Sequence, residues 1–203
     1  MKRVSSVQGK AIPIDRVNVD TDQIIPAKHL KRIERTGYGP FAFEAWRSDP
    51  NFVINNPAYT GAKIMITRQN FGSGSSREHA VWALEGLGIE ALIGTSFADI
   101  FRNNSFQGGL LTIELPEKDI DYLMARAEEL PDSEVIVDLP SQTVRTADGQ
   151  WERHFEIDAS RKHRLQHGLD DISMTLEDEV GITEFEKQRT PLKPSTLTVT
   201  ESA

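Results

Sequence analysis

Apolar positions along this chain follow two periods, one typical of β-strands and one typical of α-helices. Apolar residues at helical spacing predict amphipathic helices directly after residue 79 and over residues 117–130. Short apolar or alternating runs predict strands over residues 4–14, 62–67, 89–94, 110–115, 134–139 and 144–157. Asp148-Gly149 is a hairpin signal inside the last of these runs. The pattern predicts an α/β domain that contains a βαβ unit over residues 62–94 and a β-hairpin.

Weaker sequence patterns predict the structure of the remaining segments. Residues 41–47 have the pattern of a short amphipathic helix, and residues 51–59 read as a loop. Asp158 fits the N-cap of a helix that ends near Gly168, and a final helical region follows over residues 170–188. The stretch from Thr190 has too little apolar surface to fold. We therefore expect one domain over residues 1–189 and a disordered C-terminal tail over residues 190–203.

The loop between the first strand of the βαβ unit and its helix consists of small residues. Residues 69–79 read QNFGSGSSREH. Gly72 and Gly74 tolerate backbone angles that a Cβ atom forbids, and small serines let backbone N–H groups approach a ligand. The following helix would contribute unpaired N–H groups and the positive end of its dipole, and Arg77 a planar fork of donors. Such a loop suits a carboxylate or a phosphate.

The same residues also fit a helix cap that needs no ligand. Ser75 and Glu78 have the Ser-x-x-Glu spacing of a capping box. Spacing alone leaves open whether the loop caps the helix, binds an anion, or does both. The P-loop, the dinucleotide fingerprint and the nucleophile elbow are excluded, because their required glycine and lysine positions do not match.

Composition narrows the classes of partner and cofactor. Acidic residues outnumber basic ones by 31 to 23, which argues against nucleic acid as the main partner. The chain has no cysteine, so any iron–sulfur cluster must be held by a partner. No apolar run has the ~20 residues that a bilayer span needs, and the N-terminus lacks the apolar core of a signal peptide. We expect no membrane association and a cytoplasmic location.

Two groups of polar residues resemble metal sites only superficially. Asn18, Asp20 and Asp22 alternate as in a calcium loop, but the glycine at position six and the closing glutamate are missing, so an Asx-rich turn is the simpler interpretation. His163 and His167 would share a helix face, but the sequence offers no third ligand. We expect no metal on this chain and the histidine pair on the surface.

Three stretches of the sequence together resemble one known family. Residues 70–80 (NFGSGSSREHA), 18–26 (NVDTDQIIP) and 96–106 (SFADIFRNNSF) resemble the signatures of the small subunits of 3-isopropylmalate dehydratase, which are relatives of the swivelling domain of aconitase. The similarity extends from about residue 7 to residue 188. One departure is Ser73, where many relatives are expected to carry cysteine. The resemblance implies a swivelling β/β/α domain of the aconitase type, with a mixed sheet, flanking helices and a β-hairpin.

The resemblance also implies a reaction and a partner. The family are hydro-lyases of leucine biosynthesis, which isomerise 2-isopropylmalate to 3-isopropylmalate through 2-isopropylmaleate. It implies a heterodimer in which the large subunit carries a [4Fe–4S] cluster. Ser75 then matches the base that removes the carbon-bound proton, Ser76 a hydrogen-bonding neighbour, and Arg77 with Gly74 the anchor of a substrate carboxylate. Asp22 matches an aspartate that orients catalytic groups of the large subunit.

Residues 28–39 match the family's substrate-specificity loop. Leu30 is then a candidate for apolar contact with the substrate, and Arg32 for a substrate carboxylate. Taken without the resemblance, the basic residues of this segment indicate a solvated helix end.

Two other functions fit the same residues. A serine/arginine turn binds the carboxylates that related substrates share, and not the side chain in which these substrates differ. The chain could therefore be the small subunit of a related hydro-lyase, such as homoaconitase or a methylmalate-type dehydratase. A catalytically inert anion-binding module would use the same helix terminus and would bind its ligand without a partner.

Overall fold

The computed structural model describes residues 2–32 and 34–188 of the chain. They divide into two compact units, the first ending at Gly168 and the second beginning at Leu169. The single domain over residues 1–189 stays a prediction, and the predicted tail over residues 190–203 lies outside the described residues.

The first unit is built on one mixed β-sheet. Its strands are β1 (Ser6–Ile14), β2 (Ile64–Thr67), β3 (Ala91–Gly94), β4 (Leu111–Glu114), β5 (Glu134–Asp138), β6 (Thr143–Thr146) and β7 (Glu152–His154). They lie in the order β4-β3-β2-β1-β5-β6-β7 among the described residues. Strands β1 to β4 are parallel, and β5 to β7 continue the sheet antiparallel from the other edge of β1. The predicted mixed sheet and its β-hairpin are confirmed.

Short helices connect and flank the strands. In the described part of the first unit they are α1 (Thr21–Ile24), α2 (Glu44–Arg47), α3 (Glu78–Gly86), α4 (Asp99–Gly108), α5 (Glu117–Glu129) and α6 (Ala159–His167), with 3₁₀ turns at Ala27–Lys31, Gly39–Phe41, Val53–Asn55 and Pro57–Tyr59. The second unit contains α7 (Asp171–Leu176) and α8 (Glu179–Lys187). In the stretches 2–32 and 34–188, the helices are all too short or too polar to cross a bilayer.

Both faces of the central parallel strands are covered, because successive residues of β2 and of β3 enter different apolar clusters. On β2, Met65 packs on the side of α3, whereas Ile64 and Ile66 pack on the side of α5. All four residues of β2 and all four of β3 are buried, as in parallel sheets with helices on both faces. The predicted strand–helix–strand unit is therefore β2-α3-β3. The loop between β2 and α3 (residues 68–77, the motif loop) leaves the carboxyl end of β2.

Tertiary hydrogen bonds shorten the predicted helix over residues 41–47. The structure has a 3₁₀ turn, then Phe43 in the left-handed region at φ 53°, and then one turn of α2. The Phe43 N–H donates to the carbonyl of Ile24 at 2.8 Å, which fixes the chain in this conformation. A left-handed backbone is uncommon for a bulky residue and costs about 1–2 kcal/mol. The predicted short helix is confirmed over Glu44–Arg47, but its predicted start at residue 41 is wrong because this long-range bond competes with the local pattern.

Two glycines allow the 3₁₀ turn at Gly39–Phe41 to cross the end of α3. A Cβ atom on Gly39 would lie 2.1 Å from the carbonyl oxygen of Gly86, and one on Gly86 would lie 2.5 Å from the nitrogen of Gly39. Both obstacles are backbone atoms, so they cannot rotate away. The contact holds the segment before α2 against the helix that follows the motif loop.

We predict that Gly86→Ala destabilises the protein, although alanine is the better helix former. Helix propensity alone would add about 1 kcal/mol to stability, but the clash with Gly39 should lower the free energy of unfolding by about 1–3 kcal/mol. The measurement is urea unfolding followed by circular dichroism.

Gly108→Ala on α4 is the matched control. Its Cβ atom would meet side-chain atoms of Glu85 and Val81, at 3.1 and 3.2 Å, and these can adjust. We expect an unchanged or higher unfolding midpoint for this variant. Equal midpoints for the two variants would refute the backbone contact.

Candidate functional site

The candidate site lies at the carboxyl edge of the parallel strands. The loop after β2 and the segment after β1 both leave the sheet at this edge, where strand β1 pairs with β2. Ligand sites of open α/β sheets lie outside these strand ends. The predicted site residues Asp22, Gly74, Ser75, Ser76 and Arg77 all belong to these two segments.

Backbone hydrogen bonds fasten the two segments together. Gly72 and Ser73 both donate to the carbonyl of Val19, at 2.7 and 3.2 Å, and the Thr21 N–H donates to the carbonyl of Ser73 at 2.9 Å. The Thr21 hydroxyl donates to the carbonyl of Ser75 at 3.1 Å. Val19 and Thr21 are themselves buried. Residues 18–22 therefore form a rigid wall against which the motif loop is held.

The far side of the loop is attached to the segment after β3. The Ser96 hydroxyl accepts from the Asn70 N–H at 2.9 Å, and the Phe71 carbonyl accepts from the Ala98 N–H at 3.0 Å. Helix α4 begins after Ala98 and has no side-chain cap bond in the described structure. The Ser96 hydroxyl bonds to the motif loop instead.

The capping box, one of the interpretations that the spacing of Ser75 and Glu78 leaves open, does not form in the described structure. Helix α3 begins after Arg77, whose backbone is extended, and no side-chain cap bond is recorded at this end among the described residues. The Ser75 carbonyl instead accepts from Thr21, which turns the loop away from the cap geometry. A complete capping box exists at α1, where Asp20 and Gln23 bond reciprocally. The Ala80 N–H donates to the Arg77 carbonyl at 3.3 Å, and no side chain caps the earlier first-turn N–H groups of α3 in the described structure, so these can donate to a ligand.

The two glycines of the loop have different structural roles. Gly72 has φ +78°, and a Cβ atom there would lie 2.1 Å from Cγ of the buried Phe101. Gly74 has φ +92° but only ordinary contacts around its missing Cβ atom. Gly72 is therefore required both by space and by backbone angle, and Gly74 by backbone angle.

Arg77 is the fixed charge of the site. Its guanidinium donates from Nη1 to the carboxylate of Asp22 on α1. The Arg77 side chain is only 16% exposed, whereas that of Asp22 is 54% exposed. A guanidinium carries five N–H donors, so one ion pair does not saturate it. Ser75 and Ser76, directly before it, are exposed.

Aromatic rings pack together at the start of α3, directly after Arg77. The ring of His79 packs against Trp82 and Tyr38, with centroids 4.6 and 5.4 Å away. Burial lowers the pKa of His79, and Arg77 lowers it further, against an opposing effect of Glu78. The imidazole is therefore neutral near pH 7, and Arg77 supplies the positive charge at the start of α3.

The segment that precedes the aromatic rings contains the other predicted recognition residues. Leu30 is half-buried on the 3₁₀ turn Ala27–Lys31, which replaces the expected basic helix end. Arg32 lies over the ring of Tyr38, at 5.4 Å from its centroid, and Tyr38 contacts His79. The contacts thus connect Arg32 to α3 through two rings. Sequence reasoning missed Tyr38, His79 and Trp82 as one group, although His79 and Trp82, three residues apart on the helix after the glycine loop, were a usable signal.

The chain's own residues do not fit an iron–sulfur cluster. It has no cysteine, so thiolate ligands are absent from the sequence. The part of the chain that the structure describes contains no group of three or more His, Cys, Asp or Glu residues placed to hold a metal ion. The rings of His163 and His167 on α6 lie with their centroids 4.3 Å apart and their planes tilted by 39°.

Comparisons with known proteins agree with this architecture. The model of the aconitase C-terminal domain matches residues 1–118, and the model described as LeuD_N matches residues 121–159. A crystal structure of 3-isopropylmalate dehydratase from Methanocaldococcus jannaschii superposes with a TM-score of 0.64 at 24% identity, covering 89% of this chain and 99% of that one. The structural likeness confirms the predicted aconitase-type fold.

Relatives of much higher identity extend over nearly the whole chain. A 3-isopropylmalate dehydratase small subunit from Rubrobacter xylanophilus is 49% identical over 97% of this chain and 100% of its own length. Proteins of the same name from Rhodopirellula baltica and Streptomyces coelicolor are 52% and 47% identical, over 93% and 98% of this chain and all of their own length. The chain therefore belongs to the family of 3-isopropylmalate dehydratase small subunits.

Proposed function

We propose that this chain is the small subunit of a two-subunit hydro-lyase that isomerises 2-isopropylmalate to 3-isopropylmalate through 2-isopropylmaleate, in the cytoplasm, as a step of leucine biosynthesis. The observation that carries the proposal is the exposed Ser75-Ser76 pair beside the fixed Arg77, at the carboxyl edge of an aconitase-type sheet. Identities of 47–52% to full-length chains of this name support it.

The chain's part of the reaction is to move a proton from carbon. A hydrogen on the carbon next to a carboxylate is weakly acidic, so its base must be strong and closely placed. Ser75 is the proposed base, with Ser76 as its hydrogen-bonding neighbour. A serine oxygen is basic only when its anion is stabilised, and the first-turn N–H groups of α3 and the Arg77 charge provide that stabilisation.

Substrate anchoring is the proposed role of Arg77 and Gly74. Arg77 already holds one carboxylate, that of Asp22, through Nη1. The planar guanidinium can donate to a substrate carboxylate along another edge. Gly74 has no side chain and adopts a positive φ, and the backbone at this position can therefore approach that carboxylate closely. Asp22 then orients Arg77 and faces the partner with its exposed side.

The remaining step, departure of hydroxide, requires a Lewis acid. A [4Fe–4S] cluster supplies this chemistry when bound. Since the chain itself offers no thiolate, the cluster belongs to a large subunit that closes over the motif loop.

The direct test is anaerobic purification of the tagged chain with its large subunit. We expect a brown two-chain complex that interconverts 2-isopropylmalate and 2-isopropylmaleate, and that prefers them to homocitrate and 2-methylmalate. Preference for one of the latter substrates would assign the chain to a related hydro-lyase. A colourless chain that binds dicarboxylates without a partner would refute the enzyme and favour an anion-binding module.

Ser75→Ala should remove the base for proton transfer in the assembled enzyme. General-base catalysis contributes about 10²- to 10⁴-fold, and kcat should fall by that amount. Pairing with the large subunit should remain, because the Ser75 carbonyl and not its hydroxyl holds the loop. Steady-state kinetics and gel filtration provide the two readouts.

Ser73→Ala is the control for this variant. Ser73 lies in the same loop, and its recorded bonds use backbone atoms, so kcat should stay within about twofold. Substantial turnover by Ser75→Ala would rule out Ser75 as the base.

Arg77→Lys should weaken turnover although the charge is retained. An ammonium group cannot hold Asp22 and a substrate carboxylate in one plane. Losing one charge-assisted hydrogen bond costs about 1.5–3 kcal/mol, so kcat/KM should fall about 10- to 150-fold.

Arg102→Lys on α4 is the matched control, since Arg102 forms a partly exposed ion pair with Glu114 at 3.3 Å. Its kcat/KM should remain within about twofold of the parent. Similar losses in the two variants would show a general effect of arginine replacement and contradict the anchoring role.

A further inference from the structure

The segment before α2 contains an ordered chain of contacts that the proposed mechanism leaves unused. It begins at Arg32, whose guanidinium lies over two rings, 5.4 Å from the centroid of Tyr38 and 5.3 Å from that of Phe41. An arginine held by ring faces keeps its N–H edge directed outward, where a carboxylate can reach it. The exposed Glu34 carboxylate, 3.7 Å from Nε, shows that this edge is accessible.

His29 supports one of the two rings. Its imidazole stacks on Phe41, with centroids 4.1 Å apart and planes inclined by 20°. The His29 side chain is only 14% exposed, and it has little freedom to rotate. The orientation of Phe41 therefore depends on how His29 is held.

Glu44 holds His29. Its Oε2 lies 2.7 Å from Nε2 of His29, and its Oε1 lies 2.8 Å from Nζ of the exposed Lys28. These two hydrogen bonds, first that of Lys28 and then that of His29, keep the pKa of Glu44 below its usual range. The carboxylate is thus ionised and engaged with both residues.

The backbone directs Glu44 toward this position at a conformational cost. Phe43, immediately before Glu44, is buried and left-handed at φ 53°, and its N–H bonds to Ile24 on α1. Strained backbone of this kind persists where the surrounding structure requires it, and it clusters at functional sites. The same bond connects Glu44 to the helix that carries Asp22.

We propose that Glu44 and His29 are positioning residues for substrate recognition. Glu44 orients His29, His29 holds Phe41, and Phe41 with Tyr38 holds the guanidinium of Arg32 ready for a carboxylate of a branched hydroxy-diacid. The inference rests on the proposed function, and it adds two positioning residues to the segment that contains Arg32. It predicts an effect on substrate binding that acts through Arg32 and leaves the proton transfer at Ser75 unchanged.

The test is a double-mutant cycle in the assembled enzyme. Glu44→Ala should raise the KM for 2-isopropylmalate about tenfold, the equivalent of one charge-assisted contact, while kcat changes by less than about twofold. In an Arg32→Ala background the same substitution should change KM by less than about twofold, because its effect has been removed already.

Two further variants separate positioning from stability. Glu44→Gln retains an oxygen that can bond to His29, so its KM should return to within about threefold of the parent. Lys28→Ala removes only the exposed partner of Glu44 and should leave KM within about twofold. Thermal unfolding of each variant identifies any that fail to fold, and only folded variants that pair with the large subunit enter the cycle.

The outcomes distinguish this inference from the function it rests on. Equal effects of Glu44→Ala in the parent and in the Arg32→Ala background, or a fall in kcat at constant KM, would overturn the inference while the parent still turns over its substrate. Absence of turnover by the parent assembly would overturn the proposed function, and the inference with it.

Discussion

The hydrogen bonds between residues 19–21 and the loop after β2 are the contacts on which the rest of the site depends. A loop of glycines and serines has few apolar groups to pack and loses much conformational freedom when it is ordered. Three backbone bonds and the Thr21 hydroxyl hold it to a buried segment on one side. Ser96 and Ala98 hold it on the other. The loop is therefore ordered by its neighbours and not by its own sequence.

Order in the loop matters because the proposed chemistry needs charge and donors in place before the substrate arrives. Preorganised dipoles stabilise a developing charge without reorganising during the reaction. Arg77 is largely buried and paired with Asp22, so its position is set in advance. The exposed serines beside it leave room for a second surface to approach. This arrangement suits a subunit that completes its site with a partner.

Local patterns in the sequence predicted the elements that depend on local forces. The strands of the βαβ unit, the amphipathic α5, and α6 between its Asp158 cap and Gly168 all follow from periodicity and cap residues. The motif loop could also be located, because its glycines and serines stand between a strand and a helix. Its proposed role in binding a carboxylate came from the family resemblance as well as from the helix terminus.

Contacts between distant residues were beyond sequence reasoning. The capping box that the spacing at Ser75 allows does not form, and Thr21, remote in sequence, donates to the Ser75 carbonyl instead. The helix predicted from residue 41 begins only at Glu44, because Ile24 accepts from Phe43. The contact of His29 with Glu44 spans 15 residues and follows no helical or strand period. Each of these outcomes depends on the assembled fold.

The most direct measurement of the central claim is a structure of the assembled enzyme with bound 2-isopropylmaleate. The account predicts one ligand carboxylate within about 3.2 Å of the Arg77 guanidinium, and the Ser75 hydroxyl facing the carbon that exchanges its proton. A ligand whose carboxylates are held elsewhere, with Arg77 still bonded to Asp22 alone, would contradict it.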